Sequence, residues 1–419
     1  MVHSKVMKLI PLTLFVSLSL QAYGWGERGH HLIGKNAALL VADLAGASKE
    51  AKNKGVGSFF KDRALQMGHL ANIPDTSWKE STHQDKKVLS TNGPTHYVDL
   101  EIFNGAPDKD MDSYIKKVRS LSPEFSEILK KYQGQDNPLP GTPAKYKKIN
   151  VYKDAGTNPW RVRDLYEAMV KAFRCAKSKE DKSDLRKERK KWSLPLLSKH
   201  NKRAFYECSK KQSRLEALSA AIAIGGVLGH FIGDLAQPYH VTINFDGWEG
   251  GNGGVHEYME SDVVKNLGPE LETDVLNKSK EAPFRKALEE DLKVDWKAKA
   301  ASASFAIHLA ANSYRLLGEA LRLDDKYAIV KKGTDVTTGD KSFLFEKEKF
   351  KPAVRKPAET REVLAGHKPF LINRLAVGSY ALAKIWYQAW EEGGKPQLSD
   401  ANGVSIPYAL DVPFLWPTY

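Results

Sequence analysis

The feature that most constrains this 419-residue chain is an apolar stretch carrying two ionisable side chains. From Leu218 to Leu235 the sequence is apolar enough to resemble a membrane helix, yet it contains His230, Asp234 and several glycines, and Pro238 closes it. Residues four apart on a helix stack on one face. The spacing therefore predicts a buried core helix with His230 and Asp234 as ligands on a single side, rather than a span.

The surrounding residues extend that pattern. His240 follows just past Pro238, where the chain must turn. His256 and Glu260 repeat the His–carboxylate step of four, and a glycine-rich loop from Gly247 to Gly254 lets the backbone fold back between the two groups. One such pair is ordinary on a helix surface. Two pairs with an intervening histidine inside 31 residues read as a metal site. With only two cysteines in the chain, that site must use His, Asp and Glu, a donor set suited to zinc.

Residues 1–24 carry Lys5 and Lys8, then an apolar run from Leu9 to Leu20 and the small-residue pattern Ala22-Tyr23-Gly24. This is the arrangement of a secretory signal peptide, and it predicts cleavage at Gly24/Trp25 and a secreted or periplasmic protein. Export would put Cys175 and Cys208 where a disulfide can form, so they either pair as a local staple or remain free. Apolar periodicity predicts helices over Leu32–Leu44, Arg214–Leu235, Ala298–Leu323 and Phe370–Glu392, with no convincing strand pair, so the fold class is all-α.

Charge is uneven along the chain. The net charge is +13, and Lys171–Arg214 alone holds 16 Lys/Arg against 5 Asp/Glu. Such a segment is either a solvated helical insertion or an electrostatic platform for a phosphate backbone. The polar stretch Lys326–Lys368, with its prolines and glycines, reads as a long surface excursion.

At this point the sequence resembles the S1/P1 nuclease family, which shares its fold with bacterial zinc-dependent phospholipase C. The block Gly229–His240 resembles that family's central motif, and Trp25-Gly26-Glu27-Arg28-Gly29-His30 resembles its mature start. Asn72-Ile73-Pro74-Asp75 and Thr95-His96-Tyr97-Val98-Asp99 resemble two further ligand segments, and Arg374-Leu375-Ala376 is similar to part of the last long helix. Insertions over roughly 100–213 and 325–368 lie outside the resemblance. What it implies is one helical catalytic domain over 25–419 holding three Zn²⁺. One ion would take Asp75, His96, His230 and Asp234. A second would take the Trp25 α-amine and carbonyl, His30 and a shared Asp234. The third would take His240, His256 and Glu260. Ligation by the Trp25 amine would require signal-peptide removal, which couples export to activation.

The resemblance further implies hydrolysis of single-stranded DNA or RNA to 5′-phosphate products, with a 3′-nucleotidase activity as a possible companion. Asp75 would be the catalytic carboxylate that orients water, Tyr97 the base-stacking residue and Asp99 the base hydrogen-bond partner. Lys79 is a guess for phosphate, because the family's arginine position holds Trp78. Trp248 is a weaker stacking candidate and His69 a candidate behind the ligands, while His83, His200, His308 and His367 look like surface or core residues. Glu260 departs from the nuclease pattern toward the phospholipase one. A phospholipase C acting on phosphatidylcholine-like lipids is therefore the alternative, and a non-catalytic zinc-stabilised polyanion-binding protein the third reading. No protein partner is predicted.

Overall fold

The computed structural model describes residues 25–46, 51–78, 91–107, 110–139, 147–180, 206–336, 349–401 and 415. The proposed signal peptide, Lys79, His83 and His200 fall outside them. Helix dominates the described residues, and the sheet content there is one antiparallel pair, Ile329–Lys331 with Val354–Arg355.

The apolar stretch forms the central helix Arg214–Leu235. It starts at a capping box, in which the Ser213 side chain accepts from Glu216 N–H and Glu216 accepts from Ser213 N–H. It stops because Pro238 offers no N–H and forces Gln237 into an extended conformation, φ −99° and ψ 123°. Long and apolar enough to cross a membrane, its apolar window is nevertheless 94% buried inside the protein, as a core helix should be.

The other long helices enclose it. Asn158–Ser178 lies along it, and Gly26–Gly46, Ala64–Leu70, Ala301–Arg315 and Arg361–Glu392 cover the remaining sides. One contiguous buried cluster runs from Trp25 to Leu415. Each expected helix is present, the central one with unchanged limits and the others with changed ones. The first runs Gly26–Gly46, the third divides into Ala301–Arg315 and Leu317–Leu323, and the last begins at Arg361 and continues through Pro369. Proline inside a helix costs about 3 kcal/mol. Here Val363, His367, Phe370 and Leu371 are buried on both sides of it, and that packing carries the helix through.

Parts of both stretches that lie outside the resemblance are built into the packed fold. Within 100–213, Asn158–Ser178 is a core helix whose Trp160, Val162, Leu165, Met169 and Phe173 are buried against the centre. Within 325–368, the ends are built into the fold as the two short strands and the first turns of the last helix. Cys175 and Cys208 form a disulfide, Cα–Cα 5.6 Å, that closes a 33-residue step containing most of the basic surplus.

A cross-link of that length restricts the unfolded chain by about 3–4 kcal/mol. Replacing both cysteines by alanine is expected to lower the unfolding free energy by that amount in urea titrations. An unchanged midpoint would show that the closed segment is already restrained when the protein unfolds.

Candidate metal centre

Six elements converge on one buried cluster. The N-terminal helix supplies His30, the turn Ile73–Thr76 supplies Asp75, and the segment after Gly93–Thr95 supplies His96. The central helix supplies His230 and Asp234, the 3₁₀ turn Pro238–Val241 supplies His240, and the helical segment from Val255 supplies His256 and Glu260. His30, His230, Asp234 and Glu260 are fully buried, while Asp75, His96, His240 and His256 are 3–4% exposed and so mark the side nearest solvent.

The donor atoms have the spacing of a coordination sphere. Zinc–nitrogen bonds of 2.0–2.1 Å in a tetrahedron set ligand atoms about 3.3 Å apart. His96 Nδ1 and His230 Nε2 are 2.9 Å apart. Asp234 Oδ2 lies 3.2 and 3.3 Å from them, and Asp75 Oδ1 lies 3.6 Å from each. Five edges of one tetrahedron are thus in place. The opposite oxygens of the same carboxylates face His30, with Nε2 3.3 Å from Asp234 Oδ1 and 3.9 Å from Asp75 Oδ2. Both carboxylates are therefore placed to bridge two positions, where the sequence pointed only to Asp234 as shared. A third group has His240 Nε2 3.1 Å from His256 Nε2 and 3.2 Å from Glu260 Oε1, with His256 Nε2 2.6 Å from that oxygen.

Backbone carbonyls fix the imidazole tautomers. His230 Nδ1–H donates to Ala71 O at 2.8 Å, and His240 Nδ1–H donates to His96 O at 2.9 Å. Each Nε2 then presents a lone pair to the cluster, the usual way an outer partner orients a metal-ligating histidine. Both carboxylate oxygens of Asp234 and Glu260 and both ring nitrogens of His30 are buried without a hydrogen bond of good geometry. A folded protein rarely tolerates so many orphaned polar atoms together, and metal ions would satisfy them. His, Asp and Glu donors converging in threes and fours thus fit a divalent cation of the zinc type.

Electrostatics agree with that fit. Burial lowers the His30 pKa to about 4, aided by the neighbouring His230, so the ring is neutral at neutral pH as ligation requires. Burial opposes ionisation of Asp234, but His230 and His240 outweigh it and hold the carboxyl well below the usual range. Glu260 is raised to about 7, because its burial exceeds the help from His240.

The scaffold behind the ligands shows what sequence reading missed. Gly233 is needed for close approach, since a Cβ there would sit 2.8 Å from His30 Nδ1. Trp25 is buried, and its indole donates to Gly233 O at 2.7 Å, which seats it beside the residue that precedes Asp234. Arg28, a variable position in the N-terminal motif, donates to the carbonyls of Val264, Lys265, Leu267 and Gly268. It thereby ties the helix of His30 to the end of the segment carrying Glu260. Arg374, fully buried and lowered to about 9 by that burial, donates to Ala236 O at 2.8 Å and to Ser313 Oγ at 2.7 Å. Asn158 donates to both His96 O and Phe231 O at 3.2 Å. Trp25, Arg28, Gly233 and Arg374 lie in stretches that the resemblance covered, whereas Asn158 had left no signal in the sequence.

The candidate substrate residues are less exposed than their proposed roles suggest. Tyr97 is half-buried; its hydroxyl donates to Lys153 O at 2.7 Å, and Gly156, at φ 73°, lies so close to its ring that a Cβ would clash at 2.6 Å. The buried Asp99 carboxyl is pushed well above the carboxylate range by burial and by Glu101 and Asp154. Trp248 is not a rim residue: it is 5% exposed and packs with Val336 and Phe350. The glycine-rich loop around it is fixed by Arg355, which pairs with Asp324 at 2.8 Å and donates to Gly253 O at 3.0 Å. No protein-family model matches the chain, and the curated proteins contain no match to it.

The raised Glu260 pKa predicts a pH signature in metal-free protein. Between about 4.5 and 7 the unfolded chain ionises this residue and the folded chain does not, so stability falls as pH rises through that window. Relative to Glu260→Gln, wild type in chelator is expected to lose about 3 kcal/mol over it; a parallel pair of urea-stability curves would contradict a desolvated carboxyl. Adding zinc should reverse the order at pH 7.

Proposed function

We propose that this chain is an exported zinc-dependent phosphodiesterase of the S1/P1 nuclease type, hydrolysing single-stranded DNA or RNA to 5′-phosphate products. The observation that supports it most is the placement of Asp234, whose two oxygens face separate sets of imidazoles within one cluster. Four donors from three separated segments fall on the edges of one tetrahedron, in keeping with the family resemblance.

Asp75, His96, His230 and Asp234 would hold one zinc ion, His30 with Asp234 and the terminal Trp25 a second, and His240, His256 and Glu260 a third. When bound, zinc supplies Lewis acidity, polarising phosphoryl oxygens and acidifying water. The protein's own groups organise the substrate and the proton. Asp75, the less deeply buried of the two bridging residues, would accept a hydrogen bond from the attacking water and orient it in line with the scissile bond. His240, His256 and Glu260 would hold the third ion through three donors, and that ion would supply Lewis acidity toward a phosphate oxygen. Divalent ions held by these residues would supply positive charge in excess of the carboxylates Asp75, Asp234 and Glu260, suited to an anionic phosphodiester. Tyr97 offers a ring face to an unstacked base, and Asp99, whose carboxyl burial pushes well above the usual range, lies next to it as the hydrogen-bond partner for the base edge. The Cys175–Cys208 disulfide accords with export to an oxidising compartment.

Glu260 keeps phospholipase C as a second reading. Against it, the exposed large apolar side chains among the described residues are Leu65, Val330 and Val354, too few for a lipid-binding patch.

The deciding assay offers the processed protein oligonucleotide and phosphatidylcholine vesicles side by side. Zinc-dependent cleavage of the oligonucleotide alone is expected, lost in chelator and lowered at least about 10³-fold in His230→Ala. Lipid turnover without strand cleavage would replace this reading with the second. Arg28→Ala, which touches no ligand directly, is expected to weaken zinc retention about 10–100-fold in competition with a chelating dye.

A further inference from the structure

The basic surplus of the sequence is concentrated at 171–214, but several described cations of that segment are already engaged within the fold. Arg174 pairs with Glu392, Lys177 with Glu180 and Arg214 with Asp400, and Lys179 donates to Ser209 O. Uncompensated charge lies elsewhere, on the two short helices Met111–Arg119 and Phe125–Tyr132. Between them runs a groove of about 500 Å³ lined by Lys117, Ser120, Ser122, Lys130, Lys131 and Tyr132. Three exposed lysines thus face one concavity, and among the described residues none of them has a carboxylate at ion-pair distance. Glu127 is the one acidic side chain in the lining. Lys131 Nζ sits 4.9 Å over the Tyr132 ring, a cation and an aromatic face presented together.

The groove is joined to the metal cluster by a short, firmly held segment. Asn104 lines its wall, eight residues from His96, and the intervening chain includes the helix Leu100–Asn104. Four extended residues and one turn of helix span at most about 20 Å, or roughly six nucleotides at a rise of 3.4 Å. The segment cannot swing away. Val98 N–H donates to His240 O at 2.9 Å, and Glu101 accepts from Thr242, Ile243 N–H and Tyr314.

We propose that this groove is a second binding site for the polynucleotide, taking backbone phosphates several nucleotides from the bond being cut. Clustered ammonium groups around a concavity with an aromatic wall match the chemistry of a single strand, which offers both phosphates and base faces. An anionic membrane is the poorer match, since the exposed large apolar residues Leu65, Val330 and Val354 are not part of the lining. For the identity of its ligand the proposal rests on the nuclease reading, but its test does not need turnover.

The experiment measures binding in chelator, by fluorescence anisotropy, of a labelled single strand of roughly twelve nucleotides and of a dinucleotide. The proteins are wild type, the triple variant Lys117→Ala/Lys130→Ala/Lys131→Ala, and the corresponding triple arginine variant. The alanine variant is expected to bind the long strand at least about tenfold more weakly at low salt. Its slope of log affinity against log salt should become shallower by about 2, at roughly 0.7 for each phosphate that a lysine no longer neutralises. The arginine variant should bind like wild type, and the dinucleotide should not distinguish the three. Equal binding of the long strand by wild type and the alanine variant would overturn the proposal. So would lysine-dependent uptake by phosphatidylserine vesicles with no strand binding. Lysine-dependent strand binding without hydrolysis once zinc is restored would uphold the second site while removing the nuclease reading.

Discussion

Everything in this fold is arranged around the carboxylate of Asp234, held at zero solvent exposure in an apolar helix. An isolated ionised carboxylate there would be prohibitively expensive. It is tolerated because imidazoles from three other segments and its own helix neighbour His230 surround it. That requirement dictates the rest. The N-terminal helix must lie against the central one, Gly233 must lack a side chain, and the chain must turn sharply at Pro238 to return His240.

The outer layer solves a second problem, the ends of helices near the cluster. Helix termini leave carbonyls without partners, and here arginines supply the donors. Arg374 serves the end of the central helix, Arg28 the end of the segment bearing Glu260, and Arg355 the glycine-rich loop between the two ligand groups. Each is a single rigid cation that makes several hydrogen bonds, which Lys could not reproduce. The segment bearing Glu260 is itself π-helical over Tyr258–Val263, the one-residue-wider turn often found where a helix must aim a functional side chain.

Charge illustrates how composition and placement differ. The count along the chain singled out 171–214, yet several of its described cations are taken up by Glu392, Glu180 and Asp400. A cation's availability depends on its partner, and the partner is chosen by the fold. The lysines left facing solvent together come from two helices that no local surplus made conspicuous.

The sequence by itself determined the helical class, the central helix to the residue and the separate ligand groups, because helical periodicity and His–carboxylate spacing are local properties that sterics impose at short range. It also marked His30, Asp75 and His96, through their local motifs. Tertiary structure alone decided that Asp75 is placed to bridge as Asp234 is, that Asn158–Ser178 packs into the core, that Trp248 is packed away, and that Arg28 and Asn158 hold the ligand segments in place. Those outcomes depend on interactions between residues tens to hundreds of positions apart. Such interactions follow from how whole helices pack, and no window of the chain encodes them.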